Sequence, residues 1–305
     1  MKRIIIITLL IILIPFIIVN VFVSKDNIKF LYIKNAKVIR VKDEQSGNII
    51  TIPFEDYIVG VLAGEMPASF NIEALKAQAV AARSYALRKI ISGVGEDYDV
   101  VNTINNQVYL TDQQIKKKYN NKYSEYIKKI KKAVLDTKGE YLSYHGEIVE
   151  ALFFSTSTGY TENCEEVFRE EKPYLKSVES KWDSEVSPVY DIVTNMPLDE
   201  FYKKLNLEYN DNIKLEVTKT TSTGRVKEIK INGKVFTGSD VYKKLLLKST
   251  YFSIVQKDKT VSIETKGYGH GVGMSQYGAQ AMALKKYNYN EILKYYYTGV
   301  EIKKM

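Results

Sequence analysis

Between Asn71 and Ile91 lies the stretch that most narrows what this chain can become: an alanine-rich helical pattern with almost no bulk on its inner stripe. Leu75, Ala79, Ala82, Ala86 and Ile90 recur at helical spacing, Asn71 is placed to cap, and Glu73 stands in the first turn where a negative charge is favoured. Small side chains let such a helix lie close to its neighbours, so it is expected inside the fold. Lys76 and Arg83 are seven residues apart on it and therefore near one face. Just upstream, Tyr57, Ile58, Val61 and Leu62 mark a first helix, and Pro67 drives Met66 toward an extended conformation. Glu65 thus falls at a helix-to-loop corner between two helices.

A lone glutamate is ordinarily a solvated loop acid, and aligned Lys and Arg are ordinarily surface charges. The neighbours of Glu65 argue for more. Val59, Val61, Leu62, Ala63, Met66 and Phe70 surround it in sequence, and an apolar setting disfavours the ionised carboxylate and raises its pKa toward the range of a general acid.

Residues 4–23, IIIITLLIILIPFIIVNVFV, carry no charge. Twenty residues in a helix cover the roughly 30 Å hydrocarbon core of a bilayer. Lys2 and Arg3 before them place residues 1–3 in the cytoplasm and the rest of the chain outside it. No small-x-small site follows, so an uncleaved single-pass anchor is expected rather than a signal peptide. Cys164 is the one cysteine, which excludes an internal disulfide framework, and with only His145 and His270 beside it the usual ligands of a structural zinc are lacking. Neither a metal nor another cofactor is expected. The net charge of +8 comes in short lysine runs such as 116–118 and 128–132. Outside a membrane these suit an anionic wall or lipid surface and not nucleic acid, although solvated helix faces account for them equally well.

The remaining chain mixes the two periodicities, so the fold class is α+β: a helical and β-hairpin external domain behind the anchor. Residues 24–50 are the membrane-proximal strands and 51–305 the main domain. KVIRVKD and NIITIPF flank the turn-like residues 45–48, and EYLSY and EIVEALFF flank His145-Gly146. Thr111-Asp112-Gln113-Gln114 has capping-box form, and Ile127, Ile130 and Val134 mark a further helix. Residues 154–178 are loop-like and rich in hydroxyls. From 195 to 260 a short helix and strands around Thr223-Gly224 and Asn232-Gly233 form a candidate β-rich subdomain. Most of the 24 tyrosines are expected in packing, some along a saccharide groove.

GYGHGVGMSQYGAQAMA, residues 267–283, alternates glycine with Tyr268, His270 and Val272 before a helix that begins near Ser275. Its spacing fits neither G-x-G-x-x-G nor the P-loop, which excludes a nucleotide site. A Ser275/His270 nucleophile pair lacks the G-x-S-x-G elbow and a third member. What is left is backbone brought close to something, with His270, Ser275 and Gln276 beside it.

FEDYIVGVLAGEMP, EALKAQAVAARSYAL, STGYT, PYLKSV and the 267–283 motif, in this order, resemble the stage II sporulation protein D family. The resemblance covers nearly the whole external part. It implies a membrane-anchored lytic transglycosylase that cleaves MurNAc-GlcNAc glycan strands of peptidoglycan during engulfment in endospore formers. By position the catalytic acid falls on Glu65, and substrate-binding positions fall on Lys76, Arg83, Tyr160, His270, Ser275 and Gln276. Some members hold zinc near the STSTGYT region with additional Cys and His, and this chain has Cys164 alone there. The implied companions are glycan strands, the cell membrane, a peptidoglycan amidase and a multispanning membrane protein.

Paired carboxylates are the rule in glycoside hydrolysis. A transglycosylase manages with one acid, because the sugar's own C6 hydroxyl replaces water and attack within one sugar gains from proximity. Two other readings stay open: a non-catalytic wall-binding or amidase-enhancing protein, and a muramidase that uses water.

Overall fold

The structure is a computed structural model that describes residues 37–93 and 96–305. The apolar run 4–23, with the anchor expected there, lies outside the described residues, as do residues 24–36 of the membrane-proximal segment. Among the described residues no helix is long and apolar enough to cross a membrane.

Helix and strand are mixed throughout, in the α+β manner. Strands β1 (Val38–Lys42) and β2 (Ile49–Pro53) form an antiparallel hairpin across the 45–48 turn. Helices α1 (Phe54–Glu65) and α2 (Ile72–Ser92) follow, and β3 (Val100–Val101) then joins β1 in parallel. Helices α3 (Asp112–Tyr119) and α4 (Tyr123–Asp136) come next, α3 opened by the full capping box of Thr111 and Gln114. Strand β4 (Glu140–Tyr144) turns at His145 and Gly146, both with positive φ, into β5 (Glu147–Ile148). The expected strand EIVEALFF is broken: β6 (Phe153–Phe154) departs to pair in parallel with a strand near the C-terminus.

Helix α2 is the axis of the main core. Asn71 caps it by accepting the Glu73 N–H, and Ala74, Leu75 and residues 77–87 are all buried. The single stripe expected from the sequence is therefore too narrow, because α1, α4, β4 and two C-terminal helices pack around the whole circumference. Alanine on nearly every side is what allows that number of neighbours to approach.

Residues 154–187 are largely irregular, interrupted by the short helices α5 (Cys164–Phe168) and α6 (Asp183–Val186). A second core then gathers residues between Met196 and Ile263, among them Phe201, Leu205, Ile229, Val241 and Val261. It is built from β7 (Asp191–Pro197), α7 (Leu198–Leu205), β8 (Leu215–Thr220), β9 (Val226–Ile231), β10 (Lys234–Thr237), α8 (Gly238–Lys244), β11 (Phe252–Lys257) and β12 (Thr260–Lys266). The strands make two three-stranded sheets, ordered β10-β9-β8 and β11-β12-β7. The chain re-enters the main core through β13 (Met274–Ser275), α9 (Gln276–Leu284), α10 (Tyr289–Tyr296) and β14 (Glu301–Lys304), the last pairing antiparallel with β4.

Candidate active site

Glu65 is the last residue of α1, because Met66, ahead of Pro67, takes an extended conformation with φ −124° and ψ 141°. Its Oε1 accepts the Val108 N–H at 2.6 Å. Two helical glycines make that contact possible. A Cβ on Gly64 would lie 2.2 Å from the Val108 carbonyl oxygen, and one on Gly60 would lie 2.3 Å from the Tyr109 ring. Buried Gln107 locks the same segment: its Oε1 accepts from the Tyr57 hydroxyl at 3.0 Å and its amide donates to the Ala82 carbonyl at 3.3 Å. Tyr57 and Tyr109 stack with centroids 5.5 Å apart.

Burial of the carboxyl dominates its ionisation and pushes its pKa from 4.5 up to about 7, against the opposing pull of the Val108 N–H and the Lys118 ammonium. No donor among the described residues reaches Oε2. Glu65 is therefore an acid that exchanges its proton near neutrality with one oxygen held and the other open.

Lys76 and Arg83 do share a face of α2, and that face meets the far end of α4. The Lys76 ammonium pairs with Glu73 at 2.9 Å and Asp136 at 3.3 Å, beneath the Tyr289 ring. Arg83 is fully buried. Its Nε and Nη2 donate to the two carboxylate oxygens of Glu55 at 3.1 and 2.8 Å, and its Nη1 to the Glu140 carbonyl at 2.9 Å. Arg83, expected among the substrate-binding residues, is a guanidinium with no exposed surface that ties α1, α2 and β4 together. Removing one member of such a pair costs about 3–5 kcal/mol.

The C-terminal motif lies along residues 152–162. Gly267, Gly269, Gly271 and Gly273 all have positive φ, and a Cβ on Gly273 would lie 2.0 Å from the Leu152 carbonyl oxygen. Backbone bonds join Thr156 with Tyr268 at 3.0 and 2.9 Å, and the Glu162 N–H with the Gly271 carbonyl at 2.8 Å. Ser275, expected to meet substrate, is fully buried and caps α9 by accepting the Gly278 N–H at 3.2 Å. Its hydroxyl lies against the Asp183 carboxylate and the Ser155 carbonyl. That carboxylate also takes the Ser157 N–H at 2.8 Å and the Ser180 hydroxyl at 2.6 Å, so the position is a structural junction.

His270 Nδ1 accepts the Val272 N–H at 3.0 Å. Burial, and secondarily the Arg225 cation, pushes its pKa down to about 4, so the ring is neutral near pH 7. The Phe154 and Phe168 rings flank it. Arg225 and Glu162, both buried, form an ion pair at 3.2 Å, and Arg225 also donates to the Gly269 carbonyl at 2.9 Å. Gln276 is nearly buried, with its amide nitrogen unpartnered among the described residues. Tyr160 is 43% exposed, and Lys181 approaches its ring.

The two long motifs meet at one seam. Phe70, five residues past Glu65, packs edge-on against Tyr277 at 5.0 Å, and Gln280 accepts the Asn71 N–H at 2.7 Å. Val108, Lys118, Glu55 and Arg225 escaped the sequence reading. Gly60 and Gly64, one turn apart inside a helix, were the signal for a close approach by Val108. Cys164 is buried, its thiol pushed up to about 11, and among the described residues no three His, Cys, Asp or Glu gather to hold a metal.

These features fall on known relatives. The SpoIID (stage II sporulation protein) family model matches residues 42–144, the stretch from β1 to β4 that contains the Glu65 corner. The stage II sporulation protein D of Bacillus subtilis (strain 168) is 40% identical over 260 residues, covering 84% of this chain and 76% of that one. That of Bacillus amyloliquefaciens is 41% identical over 261 residues, covering 84% and 75%. The chain belongs to the stage II sporulation protein D family. An "Amidase enhancer" of Bacillus subtilis (strain 168) is 32% identical over 298 residues, covering 80% of this chain and 40% of that protein.

Proposed function

We propose that this sporulation protein is a peptidoglycan lytic transglycosylase with Glu65 as its one acid/base group. The observation that carries the reading is the Glu65 carboxyl itself, held at about pKa 7 with Oε2 open and, among the described residues, no second carboxylate acting on its ionisation. A water-using glycosidase needs a partner acid, whereas an intramolecular attack does not. In the proposed cycle protonated Glu65 gives its proton to the oxygen linking MurNAc to GlcNAc. The C1–O bond breaks, and GlcNAc leaves as the alcohol. The MurNAc C6 oxygen then bonds to C1 while its proton passes to the Glu65 carboxylate, which regenerates the acid and closes a 1,6-anhydro ring. Lys76, Tyr160, His270 and Gln276 are proposed to orient saccharide groups, and Arg83 and Ser275 to act by holding the elements that carry them. We place this activity at the membrane, anchored by residues 4–23 and facing outward during engulfment, with an amidase and a multispanning membrane protein as companions.

Product analysis tests it. Purified glycan strands digested by the protein should end in anhydro-muramic residues, which resist borohydride and are lighter by one water than hydrolysis products. Reducible muramic ends would replace the proposal with a muramidase. The relative named for amidase enhancement supports a second, non-catalytic reading. In that case no new glycan ends form, and an amidase added to the same strands works faster with either wild-type or Glu65→Gln protein.

A further inference from the structure

Two lysines on the α3–α4 hairpin tie off the backbone on either side of the Glu65 corner. From α3, the Lys118 ammonium donates to the carbonyls of Ala63 at 2.8 Å and Gly64 at 3.4 Å, the last turn of α1. From α4, the Lys129 ammonium donates to the carbonyls of Ser69 at 3.2 Å and of Phe70. These are carbonyls with no helical N–H to meet, and a cation at a helix C-terminus also opposes the dipole. The Tyr119 hydroxyl joins Lys118 on the Ala63 carbonyl at 3.2 Å. Lysines in a polar helix ordinarily extend into solvent, so two whose ammonium groups fold back onto the backbone around one corner have a local task.

We propose that Lys118 is a positioning residue for Glu65, fixing the end of α1 and holding a positive charge beside the acid, and that Lys129 fixes the neighbouring loop without touching the charge balance of the site. The inference rests on Glu65 being the proton donor. It is supported by the electrostatics: Lys118 pulls the Glu65 pKa down while Glu65 favours the charged form of Lys118, a reciprocal effect absent at Lys129, whose acidic neighbour is Glu125. Among the described residues Tyr57, on α1, is the other titratable group whose ionisation Glu65 affects. Tyr109, on the segment facing α1, couples to Asp56 instead. Lys118 thus offsets part of the burial that would otherwise keep the carboxyl protonated too far above neutrality to serve as the base in the second half of a cycle.

The full-length protein and its Lys118→Met, Lys118→Arg and Lys129→Met variants test this in two measurements. The first follows the Glu65 carboxyl by carbon NMR against pH, with Glu65→Gln identifying the signal. Lys118→Met should raise the midpoint by roughly half a pH unit or more, the scale expected for losing a nearby opposite charge, while Lys118→Arg and Lys129→Met leave it in place. The second follows kcat/KM on glycan strands, whose alkaline limb should move upward with the same variant and by the same amount. If Lys118→Met leaves the NMR midpoint unmoved, or Lys129→Met shifts it equally, the proposal is overturned. Should the midpoint move and the rate profile stay put, Lys118 does tune Glu65 but Glu65 is not the acid, and it is the parent reading that falls. Melting curves on each variant identify any that is unfolded, and Lys118→Gln replaces Lys118→Met in that event.

Discussion

The Glu65 corner and the 267–276 motif use the same device and end differently. Both bring two stretches of backbone together over glycines, Gly60 and Gly64 against residues 108–110, and Gly267, Gly269, Gly271 and Gly273 against residues 152–162. At the corner the approach delivers one N–H to one carboxylate oxygen and leaves the other open. Along the motif almost every polar group is committed within the protein: Ser275 to Asp183, Ser155 and a helix N-terminus, His270 Nδ1 to Val272. The Gln276 amide nitrogen is buried without a partner among the described residues. Of the two, the C-terminal motif is thus the better explained by packing, and the Glu65 corner is where the proposed chemistry would sit.

The largest effect that can test the contrast is on rate. Glu65→Gln should melt normally and lose a factor of about 10²–10⁴ in kcat/KM, the worth of a general acid/base, while Ser275→Ala keeps its rate per folded molecule within roughly tenfold of wild type on the same scale. Equal losses would erase the distinction. Next comes stability along the motif. Gly273→Ala places a Cβ against the Leu152 carbonyl at a φ of +82° and should cost more than about 2 kcal/mol in a urea titration. Gly233→Ala, at a φ of +84° with open space around it, should cost only about 1 kcal/mol. Ser275→Ala, which strips a cap and a buried hydroxyl from Asp183, should fall between, at about 1–2 kcal/mol.

The remaining effects are in the pH dependence of stability, and they have opposite signs. The Glu65 pKa is raised from 4.5 to about 7, so its contribution is complete below 4.5 and is lost as pH rises through 7. Glu65→Gln should therefore gain about 1–2 kcal/mol on wild type between pH 4 and pH 8. The His270 pKa is lowered from 6.5 to about 4, so its contribution is complete above 6.5 and is lost as pH falls through 4. His270→Asn should flatten the acid side of the curve and leave the alkaline side alone. A Glu65→Gln variant with no gain at pH 8 would mean the carboxyl is solvated, and the contrast with the motif would lose its electrostatic basis.

What the sequence disclosed was local. The Asn71 cap, the Thr111 box, the hairpins at 45–48, 145–146 and 232–233, and the break at Met66-Pro67 each depend on a few adjacent residues, and each stands where its residues put it. The burial around α2 was legible only as far as alanine suggested crowding, because its neighbours come from as far away as residue 296. The partners of the candidate site were hidden for the same reason. Val108 is 43 positions from Glu65, Glu55 is 28 from Arg83, and no periodicity links them. Lys118 was visible only as part of a lysine run, exposed like Lys116 and Lys117 and set apart by an ammonium that bonds the Ala63 and Gly64 carbonyls. Composition cannot say which member of such a run folds its ammonium back onto backbone.

The second core enters the chain at Asp191 and leaves it at Lys266, and those two residues face each other across β7 and β12. Seventy-odd residues are thus hung from a single doorway, so the main body closes on itself whether the annex is large or small. Several ties cross the doorway: Arg225 reaches back to Glu162 and to the Gly269 carbonyl, Thr223 to Glu162, the Ser222 N–H to Glu166 at 2.8 Å, and the Gly269 N–H to the Lys248 carbonyl at 2.9 Å. An excision that bridged 191 to 266 with a short linker should leave the Glu65 corner intact by NMR, provided Glu162 is changed to Gln so that no buried charge is stranded. Loss of the corner in that shortened chain would mean the annex is a supporting wall instead of an addition.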